Sequence, residues 1–155
     1  MKSFGISPLK FWSLTIGIAV VGFVLHKPLV LDHAASATDP EGPMLAGFMV
    51  LTVLSALAMG IGVSMLVFGG RVLAALPEHV RGAGRVVQLG LVWLIAPWMI
   101  HEGLHVTNGS EQMGRLLVIE YGFHVTSYVA AILVAVAAAR VLRALTGRDR
   151  SSLPA

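Results

Sequence analysis

The amino-acid sequence predicts an all-α integral membrane bundle of four transmembrane helices. Of its 155 residues, 56% are hydrophobic and 12% are charged, and the mean hydropathy of +0.82 is typical of membrane chains rather than soluble domains. Four long apolar runs are the second observation, because about 20 apolar residues in a helix cross a hydrocarbon core. Lipid offers the backbone no hydrogen-bond partners, so runs of this length favour helices over the shorter strands of a membrane barrel.

Turn-forming residues separate the four helices, which are predicted to form one domain over residues 1–155. The predicted helices span about residues 8–26, 44–70, 86–105 and 116–145. The first is expected to end before Lys27 and Pro28, and it is interpreted as a retained anchor because no clear cleavage site follows its apolar core. The second has no formal charge between Glu41 and Arg71, so nothing in it opposes burial in lipid.

Proline and glycine also delimit the last two helices. Residues 77–84 are predicted to form a loop before the third helix, and residues 107–114 a loop before the fourth. Inside the third helix, Pro97 lacks an amide hydrogen and is expected to kink the helix shortly before its end. Trp93 and Trp98 flank this proline, which is typical of a helix anchored at the membrane interface.

Basic residues predict how the bundle is oriented. With both termini in the cytoplasm, nine of the eleven Lys and Arg residues lie on the inner side, and Lys27 and Arg115 lie outside. The positive-inside rule therefore predicts an N-in/C-in topology, and we expect a bacterial inner (plasma) membrane. The sequence pI of about 9.8 follows from this asymmetry and from contact with anionic lipid heads, so no nucleic-acid partner is expected.

The residue types that the chain lacks exclude several kinds of chemistry. The sequence has no cysteine, which excludes disulfides, thiolate zinc sites, covalent c-type haem attachment and thiol redox chemistry. It also has no phosphate-binding glycine loop, nucleotide-binding fingerprint or nucleophile elbow. A metal or cofactor site in this chain must therefore be built mainly from histidine and carboxylate groups.

Two pairs of ionisable residues predict such a site. His101, Glu102 and His105 form an HExxH pattern at the end of the third helix, and Glu120 and His124 repeat the four-residue spacing at the start of the fourth. Residues four apart lie on one face of a helix, about a turn from each other. The short connection makes the two helices antiparallel neighbours, so His101, His105, Glu120 and His124 are predicted to converge as metal ligands on the outer side.

Further candidate ligands follow the first helix on the same side. These are His26, Asp32 and His33. Three imidazoles with a carboxylate suit Zn²⁺, and sets rich in histidine also suit Cu²⁺, Fe²⁺ or Ni²⁺. We expect a divalent ion, with zinc or copper favoured. Met44, Met99 and Met113 form no MxxM or MxM run of the kind that soft Cu(I) prefers.

A catalytic interpretation of the HExxH pattern makes the chain a small intramembrane zinc-dependent hydrolase. Here His101 and His105 hold zinc, Glu102 is the general base that activates the bound water, and Glu120 or His124 is the third ligand. The pattern resembles that of the zincins, in which a glutamate on a later helix completes the site. The resemblance covers these few residues, and the chain leaves no room for a substrate-binding domain.

Two other interpretations use the same residues differently. In one, the chain is a b-haem electron-transfer subunit, with His101 or His105 facing His124 or His26 across the macrocycle, as in four-helix membrane cytochromes. In the other, the chain is a structural subunit without metal, whose histidines extend into the lipid headgroup region. An ionisable residue inside an apolar helix is costly unless it is paired or functional, and Glu120 lies about one turn inside the fourth run.

The expectation from sequence is therefore an integral membrane metal-binding protein with a His/Glu site on its outer face. A chain of this size is expected to serve as a subunit or accessory protein of a larger membrane complex, of the oxidase, oxygenase or transport kind. Its expected partners are the lipid bilayer and either other membrane subunits or further copies of itself.

Overall fold

The described part of the chain consists of five α-helices. The computed structural model of the chain describes the backbone of residues 7–26, 43–108 and 113–150, and the side chains of residues 7–25, 47, 49–101, 103–104 and 114–146. The helices are α1 (Pro8–His26), α2 (Pro43–Ala75), α3 (Glu78–Ile95), α4 (Trp98–Asn108) and α5 (Met113–Arg150).

Four segments of the described chain are long and apolar enough to cross a membrane. They are Pro8–Leu25, Met49–Ala75, Glu78–His101 and Gly114–Thr146. The described residues contain helices and no strand, so the predicted all-α class and the four apolar helices are confirmed. Insertion into a bilayer and the N-in/C-in orientation remain predictions from composition.

The third predicted helix differs most from its expected bounds. The predicted loop at residues 77–84 is wrong after Pro77, because α3 begins at Glu78. Pro77 lies at the N-cap with φ −52°, and a fixed φ of this size is compatible with the start of a helix as well as with a turn. Gly84 lies inside α3, where its missing Cβ leaves room for the side chains of Leu73 and Leu76.

The kink predicted at Pro97 is a break between α3 and α4. At the end of α3, the Ala96 amide donates a hydrogen bond to the Val92 carbonyl at 2.9 Å. The indole Nε1 of Trp98 then donates to the Leu94 carbonyl oxygen at 2.8 Å. The Trp98 side chain thus donates to a carbonyl that would accept a backbone N–H in a continuous helix.

A stripe of small residues on α2 packs α1 against it. Ala56, Gly60 and Ser64 face α1, where Ala19 packs with Ala56 in the core and the Thr15 carbonyl occupies the space beside Gly60. Thr15 Oγ1 donates to Ser64 Oγ at 2.9 Å, and both residues are 0% exposed. Small residues allow this close approach, so the stripe serves packing within the chain.

Helix α3 packs against both α2 and α5. Gln88 Nε2 of α3 donates to the Met65 carbonyl of α2 at 2.6 Å, and Gly90 of α3 lies against Val134 of α5. The resulting bundle has a basic end and a histidine end. We define the basic end by Lys10, Arg71, Arg81, Arg85, Arg140 and Arg143, and the histidine end by His101, Glu120 and His124.

Candidate metal centre

Three of the predicted ligands converge at the histidine end. His101 of α4 and Glu120 and His124 of α5 each present a ligand atom, and these atoms all lie within 4.8 Å of one another. His124 Nε2 is 2.7 Å from Glu120 Oε2, and His101 Nε2 is 3.9 Å from Glu120 Oε1. One carboxylate thus faces two imidazoles, one through each oxygen.

Local sequence explains how the three residues meet. Glu120 and His124 are four residues apart on α5, which places them one above the other on a single helix face. The break at Pro97 ends α3 and starts the short α4, in which the His101 amide donates to the Pro97 carbonyl at 2.8 Å. His101 therefore lies in the first turn of α4, where the backbone direction is set by the break.

Aromatic rings hold the imidazole of His101 in place. Phe123 stacks on it with ring centroids 4.2 Å apart and an interplanar angle of 22°, and Trp98 meets it edge-on at 6.1 Å. Trp98 also contacts the ring of His124 edge-on at 6.5 Å. Aromatic pairs of this kind restrict the orientation of a ring as well as burying it, so these contacts orient both imidazoles of the site.

A polar contact fixes α3 to α5 close to the site. Trp93 Nε1 donates to Thr126 Oγ1 at 3.2 Å, and Thr126 Oγ1 donates to the Gly122 carbonyl at 2.6 Å. Thr126 follows His124 by two residues. The helix that carries Glu120 and His124 is therefore held beside the helix that leads into the Pro97 break.

Exposure differs across the site. The side chain of His101 is 9% exposed, whereas those of Glu120 and His124 are 38% and 45% exposed. The site is thus closed on the α4 side and open on the α5 side. Water can therefore reach Glu120 and His124, whereas His101 is shielded.

The donor set fits a borderline divalent metal ion. Zinc binds imidazole nitrogen and carboxylate oxygen at about 2.0–2.2 Å, so two tetrahedral ligands are separated by about 3.3 Å. The separations from Glu120 to His124 Nε2, 2.7 Å, and to His101 Nε2, 3.9 Å, lie on either side of that value.

The remaining predicted ligands are not tested by this geometry. His105 and Glu102 belong to α4 and His26 is the last residue of α1, but their side chains lie outside the described residues. Asp32 and His33 also lie outside the described residues. Within the described part of the chain, the candidate metal-ligand group therefore consists of His101, Glu120 and His124.

Sequence reasoning missed the aromatic neighbours of the site. Phe123 is buried and touches His101, Trp98 and His124. Its position three residues after Glu120 places it on the same face of α5, and that spacing is the signal from which it could have been found. Met99, considered for copper, is instead buried in the core with Ala19 and Ala56.

Comparison with models of known protein families, with curated proteins and with solved structures returns no match to this chain. The chemistry of the site therefore rests on its own residues.

Proposed function

We propose that this chain is an integral membrane metal-binding protein in which His101, Glu120 and His124 bind one divalent ion, Zn²⁺ or Cu²⁺. The observation that carries the proposal is the convergence of their ligand atoms within 4.8 Å, contributed by two different helices. Separate helices have no local reason to bring two imidazoles and a carboxylate together. Binding of a metal ion would explain the convergence, because it offsets the free-energy cost of placing polar groups at the end of apolar spans.

The position of Glu120 favours a metal ion over b-haem. A haem with two axial histidines needs an open slot for the macrocycle between the imidazoles. Here the Glu120 carboxylate faces both rings, at 2.7 Å from His124 Nε2 and 3.9 Å from His101 Nε2. Carboxylate oxygen is an ordinary ligand for zinc, so the same group that obstructs a macrocycle completes an ion site.

The proposed setting is a bacterial inner membrane, with the site facing the periplasm or exterior. This orientation follows from the positive-inside rule applied to the basic end, which lies opposite the histidine end. With few residues outside its apolar helices, the chain is proposed to act as a subunit or accessory protein of a larger oxidase, oxygenase or transport complex.

Metal titration of the purified protein tests the proposal. The detergent-solubilised chain is stripped with chelator and titrated with Zn²⁺ by calorimetry, and the bound metal is counted by elemental analysis. We expect one ion per chain and a loss of affinity of at least about 100-fold in His124→Ala, since loss of groups that only support a ligand already costs 10–100-fold. His79→Ala is the matched control, because His79 is exposed near the start of α3, at the basic end.

The outcomes separate the competing functions. Equal affinity in His124→Ala and His79→Ala, or no binding by the unaltered chain, contradicts the proposed site. A Soret band in the purified protein contradicts an ion-only site and indicates haem. Glu102→Gln separates metal binding from hydrolysis: both functions retain the metal in this variant, but a zinc hydrolase loses its activity.

A further inference from the structure

An apolar cavity lies at the basic end of the bundle, far from the metal centre. Its volume is about 420 Å³, and its walls come from α1, α2, α3 and α5. Phe11, Phe68, Leu91 and Val141 contribute to a lining that is almost entirely hydrocarbon. The volume lies within the range of about 300–1,000 Å³ that ligand pockets occupy.

A second cavity of about 630 Å³ adjoins the first and has a different character. Leu73 and Gln88 line both cavities, so the two share a wall. Arg81 and Arg85 line only the second cavity. An apolar space and a cationic space thus lie side by side.

The two guanidinium groups are available to an external anion. Arg81 and Arg85 are four residues apart on α3, so both lie on one face of the helix, and both are exposed. Among the described carboxylates, none lies within ion-pair distance of either side chain. Gln88, at the boundary, donates to the Met65 carbonyl and is therefore part of the wall.

We propose that the adjoining cavities bind one anionic phospholipid, with its phosphate at Arg81 and Arg85 and one acyl chain in the apolar cavity. Guanidinium groups bind phosphate oxygens through paired, charge-assisted hydrogen bonds. The hydrocarbon lining excludes a polar ligand from the first cavity, and the arginine pair selects an anionic head over a zwitterionic one. The site is independent of the metal centre, which lies at the other end of the bundle.

Lipid selectivity in reconstituted vesicles tests this proposal. The full chain is placed in phosphatidylcholine vesicles that contain spin-labelled phosphatidylglycerol or spin-labelled phosphatidylcholine, and the fraction of immobilised label gives a relative association constant. We expect phosphatidylglycerol to be preferred, and we expect Arg81→Gln with Arg85→Gln to reduce this preference roughly tenfold or more. Arg140→Gln with Arg143→Gln is the matched control, because it removes two exposed charges at the same end and outside both cavities.

A second pair of variants tests whether the acyl chain binds in the apolar cavity. Ala138 lines the apolar cavity, so Ala138→Phe fills it and is expected to abolish most of the preference, whereas Ala135→Phe, which changes an exposed position of the same helix, leaves it intact. Helical content by circular dichroism verifies that each variant is folded. Equal losses in the two arginine pairs would reveal general surface attraction and overturn the proposal, as would full selectivity in Ala138→Phe.

Discussion

Replacing Gly60 by alanine is expected to destabilise the contact between α1 and α2. A Cβ at residue 60 would overlap the carbonyl oxygen of Thr15 and lie 3.1 Å from its carbonyl carbon. Those atoms are backbone, so no side-chain rotation relieves the overlap and the two helices must separate. Separation of the helices also lengthens the hydrogen bond between the Thr15 and Ser64 hydroxyls, both of which are fully buried.

The expected loss of stability follows from these two contacts. Overpacking of a close interface costs about 1–3 kcal/mol, and the weakened buried hydrogen bond adds about 0.5–1 kcal/mol. The higher helix propensity of alanine offsets about 0.5–1 kcal/mol of this loss in the free energy of unfolding. The free energy of unfolding of Gly60→Ala should therefore fall by about 1–3 kcal/mol, measured by reversible unfolding in mixed micelles and followed by circular dichroism.

Gly17→Ala is the matched control for this experiment. Gly17 lies inside α1, and nothing surrounds the position that its Cβ would take within 4 Å. This substitution should leave stability unchanged or raise it by up to about 1 kcal/mol. If Gly60→Ala unfolds at the same free energy as Gly17→Ala, the close approach of α1 and α2 at Gly60 is not present in the folded protein.

Three other substitutions test the histidine end and the α2–α3 contact. Pro97→Ala should join α3 to α4 and turn His101 away from its partners, so calorimetry should show Zn²⁺ binding weakened about tenfold or more while helical content by circular dichroism is kept. Phe123→Ala should lower the free energy of unfolding by about 3–5 kcal/mol through loss of a buried ring, and an unchanged midpoint would contradict its packing role. Gln88→Leu should lower the free energy of unfolding by about 0.6 kcal/mol in the same micelle assay, because it removes the hydrogen bond to the Met65 carbonyl.

The helical class and the four long apolar segments could be predicted, because runs of about 20 apolar residues are typical of helices that can cross a membrane. The helix ends could not be read as reliably, and the start of α3 shows why. Pro77 favours a turn in one context and a helix N-terminus in another, and the packing of Leu73 and Leu76 over Gly84 is compatible with the helix. Such contacts join residues of two helices and leave no periodic signal in either.

The stripes of small residues show a similar limit. On α2, the stripe that includes Gly60 packs against α1. On α5, Ala131, Ala135 and Ala139 have the same spacing, but Ala131 and Ala135 are exposed and Ala139 is half-buried. The two patterns are alike in sequence, because small-residue spacing indicates that a close contact is available but not which surface fills it.

The candidate site could be predicted in part. Four-residue spacing places Glu120 and His124 together, and the short connection to the third helix brings His101 near them. The orientation of His101 could not be predicted, because it depends on the break at Pro97 and on stacking with Phe123. An aromatic residue within an apolar helix looks like ordinary core until its neighbours are known.

The short helix α4 has a mechanical consequence for the whole bundle. Met99 is buried among residues of α1 and α2, and His101, two residues later, lies against α5. One turn of α4 thus contacts both the α1/α2 pair and the helix that carries Glu120 and His124. An ion bound by both His101 and His124 would link α4 to α5. The free energy of separating the α1/α2 pair from α5 should therefore rise with metal occupancy.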